Sequence, residues 1–215
     1  MKKIYIAKDS NIILQEYIRS KGYALEYIAS EGIVDQGISN HPDIFLCKMG
    51  ISENAPLFFA EKSDLGMDYP EDIPFNAACT GKFFIHNLDY TNPKLLQAAK
   101  DLNMELIHVR QGYTKCSIVI VDEYSIITYD EGIVRACSKY PDLHVLQISP
   151  GFIRLDGYDT GFIGGCSGRI GDEIIFNGDL FAHPDFTRIC RFVEERGLTC
   201  RWFPEYKLTD IGSIL

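Results

Sequence analysis

Cys166 stands in a glycine-rich segment, residues 161–168, and has the sequence surroundings best suited to nucleophilic chemistry. Glycine lets the backbone approach a ligand closely, and backbone amides near a thiol can lower its pKa and stabilise developing negative charge. The alternative is a small buried thiol in a tightly packed strand, a common environment for free cysteine. The pair Cys116-Ser117 repeats the pair Cys166-Ser167, which favours the packing interpretation.

His86 ends an apolar run, residues 83–87, and is the best candidate for an acid/base group. A neutral imidazole can accept a thiol proton and later activate water, which is the chemical reason for pairing cysteine with histidine. The alternative is a strand-end histidine that only hydrogen-bonds a turn. The remaining four histidines are weaker candidates, in loops before proline or within apolar strands: His41, His183, His108 and His144.

Carboxylates follow several short apolar runs, where a cation could be bound. The candidate residues are Asp9, Glu61, Asp89, Asp130 and Asp179. Carboxylates that lie close together attract cationic ligands and accept hydrogen bonds from them. If the strand ends converge, these residues form a site for such a cation. Asp and Asn also favour strand ends and helix caps in any protein, so each residue taken singly is equally consistent with a local cap.

The elements that must position these residues form a repeat. Five short runs read as strands with polar ends: residues 4–9, 57–62, 83–87, 126–130 and 174–179. Amphipathic helices follow four of them, at 11–21, 92–102, 131–139 and 184–197, and each helix leads to a further strand, at 24–28, 105–109, 143–148 and 198–203. The run at 57–62 has no clear helix after it. This pattern predicts an α/β protein of repeated strand–helix–strand units.

An additional apolar segment precedes four of the five runs and forms a hairpin with it. These segments are residues 43–48, 75–80, 115–121 and 164–170, with hairpin turns expected at 122–123 and 171–172. The first unit lacks this strand, whereas the chain ends in a surplus apolar segment, 211–215. We therefore expect the C-terminal strand 211–215 to complete the N-terminal unit, which removes a free edge from a ring of small sheets. The 215 residues divided among five units give about 43 residues each, in a single domain over 1–215.

Composition excludes several classes of function. The formal net charge of -9 argues against binding to nucleic acid or to anionic membranes. The sequence has no stretch of about 20 apolar residues and no signal peptide, which predicts a cytoplasmic protein. Seven cysteines without a C-x-x-C pair indicate neither a disulfide framework nor a zinc site, and no nucleotide-binding glycine motif is present. No organic cofactor or metal is expected.

With its five ββαβ-like units, the chain resembles the pentein fold, the five-bladed α/β propeller of the guanidino-group-modifying enzymes such as arginine and agmatine deiminases, dimethylarginine hydrolases and amidinotransferases. The resemblance implies a cysteine-dependent hydrolase or transferase acting on a guanidino or amidino compound. It implies Cys166 as nucleophile, His86 as general acid/base and Glu61 as a carboxylate that binds the guanidinium group. Asp89, which comes one position later than the acidic residue that follows the histidine in those enzymes, and the strand-end residues Asp130 and Asp179 are further candidate substrate carboxylates. Gly165 stands where those enzymes commonly have a polar residue. The alternative is a non-catalytic binding or regulatory protein of the same fold.

Overall fold

The computed structural model describes residues 2–28 and 32–215, which form small sheets and short helices. The strands, in chain order, are β1 (Lys3–Ala7), β2 (Ala24–Ile28), β3 (Leu46–Lys48), β4 (Leu57–Phe59), β5 (Ala78–Cys79), β6 (Phe83–His86), β7 (Glu105–His108), β8 (Val119–Asp122), β9 (Ser125–Thr128), β10 (His144–Gln147), β11 (Ser167–Ile170), β12 (Glu173–Phe176) and β13 (Thr199–Arg201). The helices are α1 (Ile12–Ser20), α2 (Pro42–Phe45), α3 (Pro93–Asp101), α4 (Thr114–Ser117), α5 (Glu131–Cys137) and α6 (Phe186–Glu194).

The strands form five separate sheets, one for each expected unit. The sheets are β1–β2 (unit 1), β3–β4 (unit 2), β5–β6–β7 (unit 3), β8–β9–β10 (unit 4) and β11–β12–β13 (unit 5). In units 3 to 5 the middle strand pairs antiparallel with the strand before it and parallel with the strand after it. The mixed α/β class and the five repeated β units predicted from the sequence are therefore confirmed.

The helices between the parallel strands start at local capping signals. The side chains of Asn11 and Asn92 accept hydrogen bonds from backbone amides of α1 and α3, and Pro93 occupies the first turn of α3. In unit 5, Gly171 and Asp172 join β11 to β12 as expected, with Gly171 at φ +60°, a conformation that glycine adopts at little cost. In unit 4 the turn lies one residue later than expected, at 123–124.

The segments predicted as first strands are only partly extended. In units 2 and 4 the segment begins with a single helical turn, α2 or α4, and becomes extended only at Leu46 or Ile118. Pro42 at the start of α2 fixes a backbone angle suited to that turn. Apolar composition predicted burial correctly, but a short buried run does not distinguish a strand from a helical turn.

The hydrophobic core consists of several clusters, most of which join side chains of two consecutive units, rather than of one continuous layer. One cluster joins side chains of β6 to those of β9 and α5, and another joins β9 to β12 and α6. A third joins β1 and α1 to β12 and the C-terminal segment. Two further clusters contain β3 with β6 and α3, and α2 with residues just before it. Each unit is thus stabilised mainly by burying apolar side chains against its neighbours.

The inner ends of the units are joined by hydrogen bonds, and the C-terminus lies beside β1. The inter-unit bonds are Asp43 N to Gly212 O (3.1 Å), Asn76 Nδ2 to Asp43 O (3.1 Å), Lys115 N to Asn76 O (3.0 Å), Gly165 N to Cys116 O (2.8 Å) and Ser213 N to Gly165 O (2.7 Å). Leu215 and Tyr5 exchange backbone hydrogen bonds in both directions. Within residues 2–28 and 32–215, no helix is long and apolar enough to cross a membrane.

Candidate functional site

Cys166 is fully buried and lies in the hydrophobic cluster between units 4 and 5. Its Sγ donates a hydrogen bond to Ile163 O at 3.1 Å. Burial, together with the charge of Asp210, raises the pKa of the Cys166 thiol well above its ordinary value. A thiol in these surroundings is protonated at neutral pH and shielded from reagents, which matches the packing interpretation of the glycine-rich segment.

His86 is also fully buried, and both of its ring nitrogens are engaged. Nδ1 lies 2.7 Å from Thr91 Oγ1, and Nε2 lies 3.2 Å from Gly112 O. Because a carbonyl can only accept, Nε2 is the donor in the contact with Gly112 O. Burial lowers the pKa of His86 to about 4, so the ring is neutral at neutral pH. None of the described contacts joins His86 to Cys166.

Two of the predicted substrate carboxylates lie at the surface. The Glu61 side chain is 71% exposed and pairs with Lys94 Nζ at 3.1 Å. Asp89 is exposed and belongs to the turn after β6. An exposed ion pair of this kind contributes little to either stability or ligand binding.

The other two predicted carboxylates cap local structure. Asp130 Oδ1 accepts from the backbone amide of Ile133 at 2.9 Å, at the start of α5. Asp179 Oδ1 accepts from the backbone amide of Phe181 at 3.1 Å. Both therefore have the capping role that was the alternative for each of them.

A different set of residues encloses a cavity of about 330 Å³, which we call the aromatic pocket. The rings of Tyr113, Tyr158 and Phe162 line it, and its polar lining includes His41, Cys116 and Asp210. Of the candidates named from the sequence, His41, one of the weaker histidines, lines this pocket, whereas Cys166, His86 and the strand-end carboxylates do not. Its volume is at the lower end of the range of about 300–1,000 Å³ that is typical of small-molecule sites.

The aromatic walls are held by ring contacts and by hydrogen bonds of the tyrosine hydroxyls. The Phe162 ring stacks on Tyr129 at a centroid distance of 6.0 Å and lies 6.2 Å from the Tyr113 ring. Tyr113 donates its hydroxyl proton to Asp72, and Tyr158 donates to Asp35 Oδ1 at 2.8 Å. These contacts fix the rings in place, so the pocket is largely formed without a ligand.

Asp210 contributes the carboxylate of the aromatic pocket. Its two oxygens accept backbone N–H bonds from Phe162 and Gly212, each at 2.9 Å. His41 Nδ1 lies 3.8 Å from Asp210 Oδ1. Burial raises the pKa of Asp210 to about 6, despite the two amides and the charge of Lys115, which act in the opposite direction. At neutral pH the pocket therefore contains a desolvated negative charge that a cation would stabilise.

Cys116 leads from the aromatic pocket to a buried polar cluster, defined here as Asp43, Asn76, Lys115, Cys116 and Ser213. Cys116 Sγ donates to Asp43 Oδ2 at 3.1 Å, and Ser213 Oγ donates to the same oxygen at 2.6 Å. Lys115 Nζ donates to Ser213 Oγ at 2.8 Å, and Asn76 Nδ2 to Cys116 Sγ at 3.2 Å. The other oxygen, Asp43 Oδ1, is buried without a hydrogen-bond partner among the described residues.

Burial controls the protonation of this cluster. It raises the pKa values of Asp43 and Cys116 and lowers those of Lys115 and His41, in each case as the largest cause. For Cys116 the neighbouring charges of Asp43 and Asp210 raise the pKa further. The resting Cys116 thiol is therefore protonated, even though it lines the pocket.

The glycine-rich segment has a packing role in this arrangement. A Cβ atom on Gly165 would lie 2.1 Å from Asp210 Oδ1, and one on Gly164 would lie 2.4 Å from the carbonyl oxygens of Lys115 and Ile118. Only glycine allows the backbone to pass this close to the carboxylate and to unit 4. The segment thus helps to position Asp210.

A larger polar cavity of about 540 Å³ adjoins the aromatic pocket and shares His41, Leu155 and Asp210 with it. Asp9, one of the predicted strand-end carboxylates, lines this polar cavity and accepts from Asn40 Nδ2 at 2.6 Å. Within the described ranges, no group of three or more His, Cys, Asp or Glu side chains is arranged to hold a metal ion.

Sequence reasoning ranked His41 as a weak candidate because it lies in a loop before proline, and it missed Asp43 and Asp210, which were assigned to a strand and to the chain end. Two signals pointed to this region: the repetition of Cys166-Ser167 at Cys116-Ser117, and the equivalent places of these segments in successive units. Neither signal indicates which of the repeated cysteines faces a cavity. Which cysteine faces a cavity depends on how closely the segment that contains it packs against the neighbouring unit.

Comparison with known proteins gives a family but no characterised relative. No curated protein and no solved structure matches the sequence. The model of a family of unknown function, DUF6873, matches residues 51–215. Because this match covers more than half of the chain, the protein belongs to the family of unknown function DUF6873.

Proposed function

We propose that the protein is a single-domain, pentein-like propeller whose aromatic pocket binds a small organic cation with a guanidinium or amidinium group. The closed propeller is supported by the inter-unit hydrogen bonds, which run from each unit to the next and return from Gly212 to Asp43. The hydrophobic clusters between consecutive units support the same arrangement. The backbone bonds between Leu215 and Tyr5 support completion of unit 1 by the segment 211–215.

The observation that carries the ligand class is the Asp210 carboxylate in a pocket walled by Tyr113, Tyr158 and Phe162. A planar cation gains from both groups, since carboxylates match its donors and aromatic faces attract its charge. The net charge of -9 adds a weak attraction for any cation. A neutral or anionic ligand would bring no positive charge to the buried carboxylate of Asp210.

Thermal unfolding with matched ligands tests this proposal. Agmatine or arginine should raise the melting temperature of the protein, with a stabilisation of about 2.7 kcal/mol when the ligand is at 100 times its Kd. Citrulline, in which a neutral urea group replaces the guanidinium, should give little or no shift. Asp210→Asn should abolish the shift, whereas Asp89→Asn, which removes an exposed carboxylate, should retain it.

Protonation of Asp210 provides a second readout for the same pocket. Because the pKa of Asp210 is raised to about 6, the carboxylate becomes fully charged only above that pH. We therefore expect the affinity for agmatine, measured by calorimetry, to increase as the pH rises from about 5 to about 7. Equal shifts with arginine and citrulline, or unchanged binding by Asp210→Asn, would contradict the proposed ligand class.

A second candidate function is hydrolysis or transfer of the bound amidino group, with Cys116 in the role that the family resemblance implies for Cys166. The observation that favours it is that Cys116 and His41 line the same pocket. In this reaction the Cys116 proton moves to the neutral His41 ring as sulfur bonds to the amidine carbon. Ammonia or an amine then leaves with that proton. Water next loses a proton to His41 as its oxygen bonds to the same carbon, and the carbon–sulfur bond breaks as the sulfur takes that proton back. Ligand binding would first have to offset the raised pKa of Cys116.

Ammonia or amine release distinguishes the two functions. If the protein is an enzyme, Cys116→Ala should abolish turnover while Cys166→Ala, provided it folds, retains it. If Cys166→Ala is inactive and Cys116→Ala is active, the assignment of Cys166 that the resemblance implies is supported instead. Ligand-dependent stabilisation without turnover by the wild type supports a binding protein.

A further inference from the structure

A small cavity elsewhere in the molecule, which we call the basic cavity, is lined by Lys48, Lys115 and Arg169. Its volume is about 40 Å³, and it shares no lining residue with the aromatic pocket. The three side chains come from units 2, 4 and 5, so the cavity lies where several units meet. Lys115 faces this cavity, whereas the next residue, Cys116, lines the aromatic pocket.

Two of the three cations of the basic cavity, Lys48 and Arg169, form no ion pair with a carboxylate among the described residues, whereas the charge of Lys115 is offset by Asp43 and Asp210. Lys48 has neither a hydrogen bond nor an ion pair from its Nζ within residues 2–28 and 32–215, although its side chain is only partly exposed. Arg169 donates to two carbonyl oxygens, Val121 O at 2.7 Å and Gly171 O at 3.1 Å. Neither side chain takes part in any of the described salt bridges. No Asp or Glu of these residues lines the cavity, and Leu215, the last residue of the sequence, lines it without a described ion pair to either cation.

This arrangement is unfavourable in the absence of an anion. Burial, together with the charge of Arg169, lowers the pKa of Lys48, which is the expected effect of placing two like charges together in a partly desolvated site. Elsewhere in this acidic chain, basic side chains pair with carboxylates, as Lys94 does with Glu61. An anion in the cavity would remove the repulsion and satisfy the free donors of Lys48.

The size of the cavity limits the ligand. A cavity of about 40 Å³ is far smaller than the aromatic pocket and accommodates only a few waters or one small oxyanion. The planar fork of Arg169 and the ammonium of Lys48 are the two donor types that bind phosphate and carboxylate groups in proteins.

We propose that the basic cavity binds a small oxyanion, of which a phosphate group is the best match, through Lys48 and Arg169, with Lys115 at its inner side. Lys115 also donates to Ser213 Oγ, which donates to Asp43, so the anion contacts the same lysine that organises the buried polar cluster. The proposed oxyanion site shares no lining residue with the aromatic pocket and does not depend on which ligand that pocket binds.

Calorimetric titration of the full chain with inorganic phosphate tests the site, with ionic strength held constant by sodium chloride. We expect saturable binding to the wild type and a loss of affinity of about tenfold or more in Lys48→Gln, since a charge-assisted hydrogen bond is lost. Lys139→Gln, which removes an exposed lysine just after α5, should bind phosphate as the wild type does. Sulfate and acetate, titrated in parallel, distinguish a tetrahedral oxyanion from a carboxylate.

A second measurement protects the test against a variant that misfolds. Phosphate should shift the backbone amide resonances of Gly50 and Gly168, which line the cavity, in the wild type and not in Lys48→Gln. Absence of saturable binding at millimolar phosphate would overturn the proposal. Equal weakening in Lys48→Gln and Lys139→Gln would overturn it as well, because the effect would then reflect net charge alone.

Discussion

Replacing Asp210 by asparagine should change how the stability of this protein depends on pH. The raised pKa means that the folded protein holds the Asp210 proton up to about pH 6, whereas the unfolded chain releases it near the ordinary value of 3.8. Between these values the folded state binds more protons than the unfolded state, so the free energy of unfolding decreases as pH rises. An asparagine side chain does not titrate, so this contribution would be absent from Asp210→Asn.

The magnitude follows from the size of the shift. A rise from 3.8 to about 6 is roughly 2 pKa units, and at about 1.36 kcal/mol per unit this corresponds to about 3 kcal/mol. Asp210 is only 4% exposed, so solvent does not screen this penalty substantially. The wild type should therefore lose about 3 kcal/mol relative to Asp210→Asn between about pH 4 and about pH 7.

Urea unfolding at a series of pH values measures this difference. Asp210→Asn is expected to be less stable than the wild type at about pH 4, because an amide cannot accept from both Phe162 N and Gly212 N with the same geometry. The two stabilities should approach each other, or cross, as pH rises. Asp89→Asn serves as the control for an exposed carboxylate and should follow the wild type. A difference between wild type and Asp210→Asn that is constant, or that grows in favour of the wild type with pH, would refute the reasoning.

Three further predictions concern packing, thiol access and histidine charge. Ile214→Ala should lower the free energy of unfolding by about 2–5 kcal/mol in urea titrations, because the Ile214 side chain is 2% exposed and packs beside β1. Ile12→Ala, at a position 56% exposed, should have a far smaller effect, and similar losses in the two variants would contradict the packing role of the C-terminal segment. Among the seven cysteines, Cys190 should react first with a thiol reagent under native conditions, since it alone is partly exposed and its pKa is lowered by a hydrogen bond with Cys200. Earlier labelling of Cys166 would instead identify Cys166 as the reactive thiol. The His86 ring should remain neutral in nitrogen NMR spectra down to about pH 4, since burial disfavours its charged form. Titration near the ordinary pKa of 6.5 would show that the ring is solvated.

Much of the fold could be predicted from the sequence because its signals are local. Alternating apolar residues, the caps Asn11 and Asn92, and Gly171 each act within a few positions of the chain, so they define strands, helices and turns without knowledge of distant contacts. The exception was the apolar segment predicted as the first strand in units 2 and 4. There the apolar run indicated burial, but only packing against a neighbouring unit made its first residues a helical turn.

The candidate site could not be predicted in the same way. Asp130 and Asp179 have the residue type expected of cation ligands, yet each accepts a backbone amide of the helical turn that follows it. Cys116 and Cys166 are each followed by serine at comparable places in their units, but Cys116 lines the aromatic pocket whereas Cys166 lies in a hydrophobic cluster. These outcomes depend on the distance and orientation of whole units, which a single run of residues does not encode.

Local patterns in the chain were sufficient to specify the number of repeated units, most of the strands and helices within them, and the surplus apolar segment 211–215. Packing of the units decided which polar side chains meet: His41, Cys116 and Asp210 come from distant parts of the chain and line one pocket. Packing also decided their protonation, because burial rather than residue type raises the pKa values of Asp210 and Cys116 and lowers that of His41. Secondary structure follows from local periodicity and capping, whereas desolvation and proximity exist only after the units have packed together.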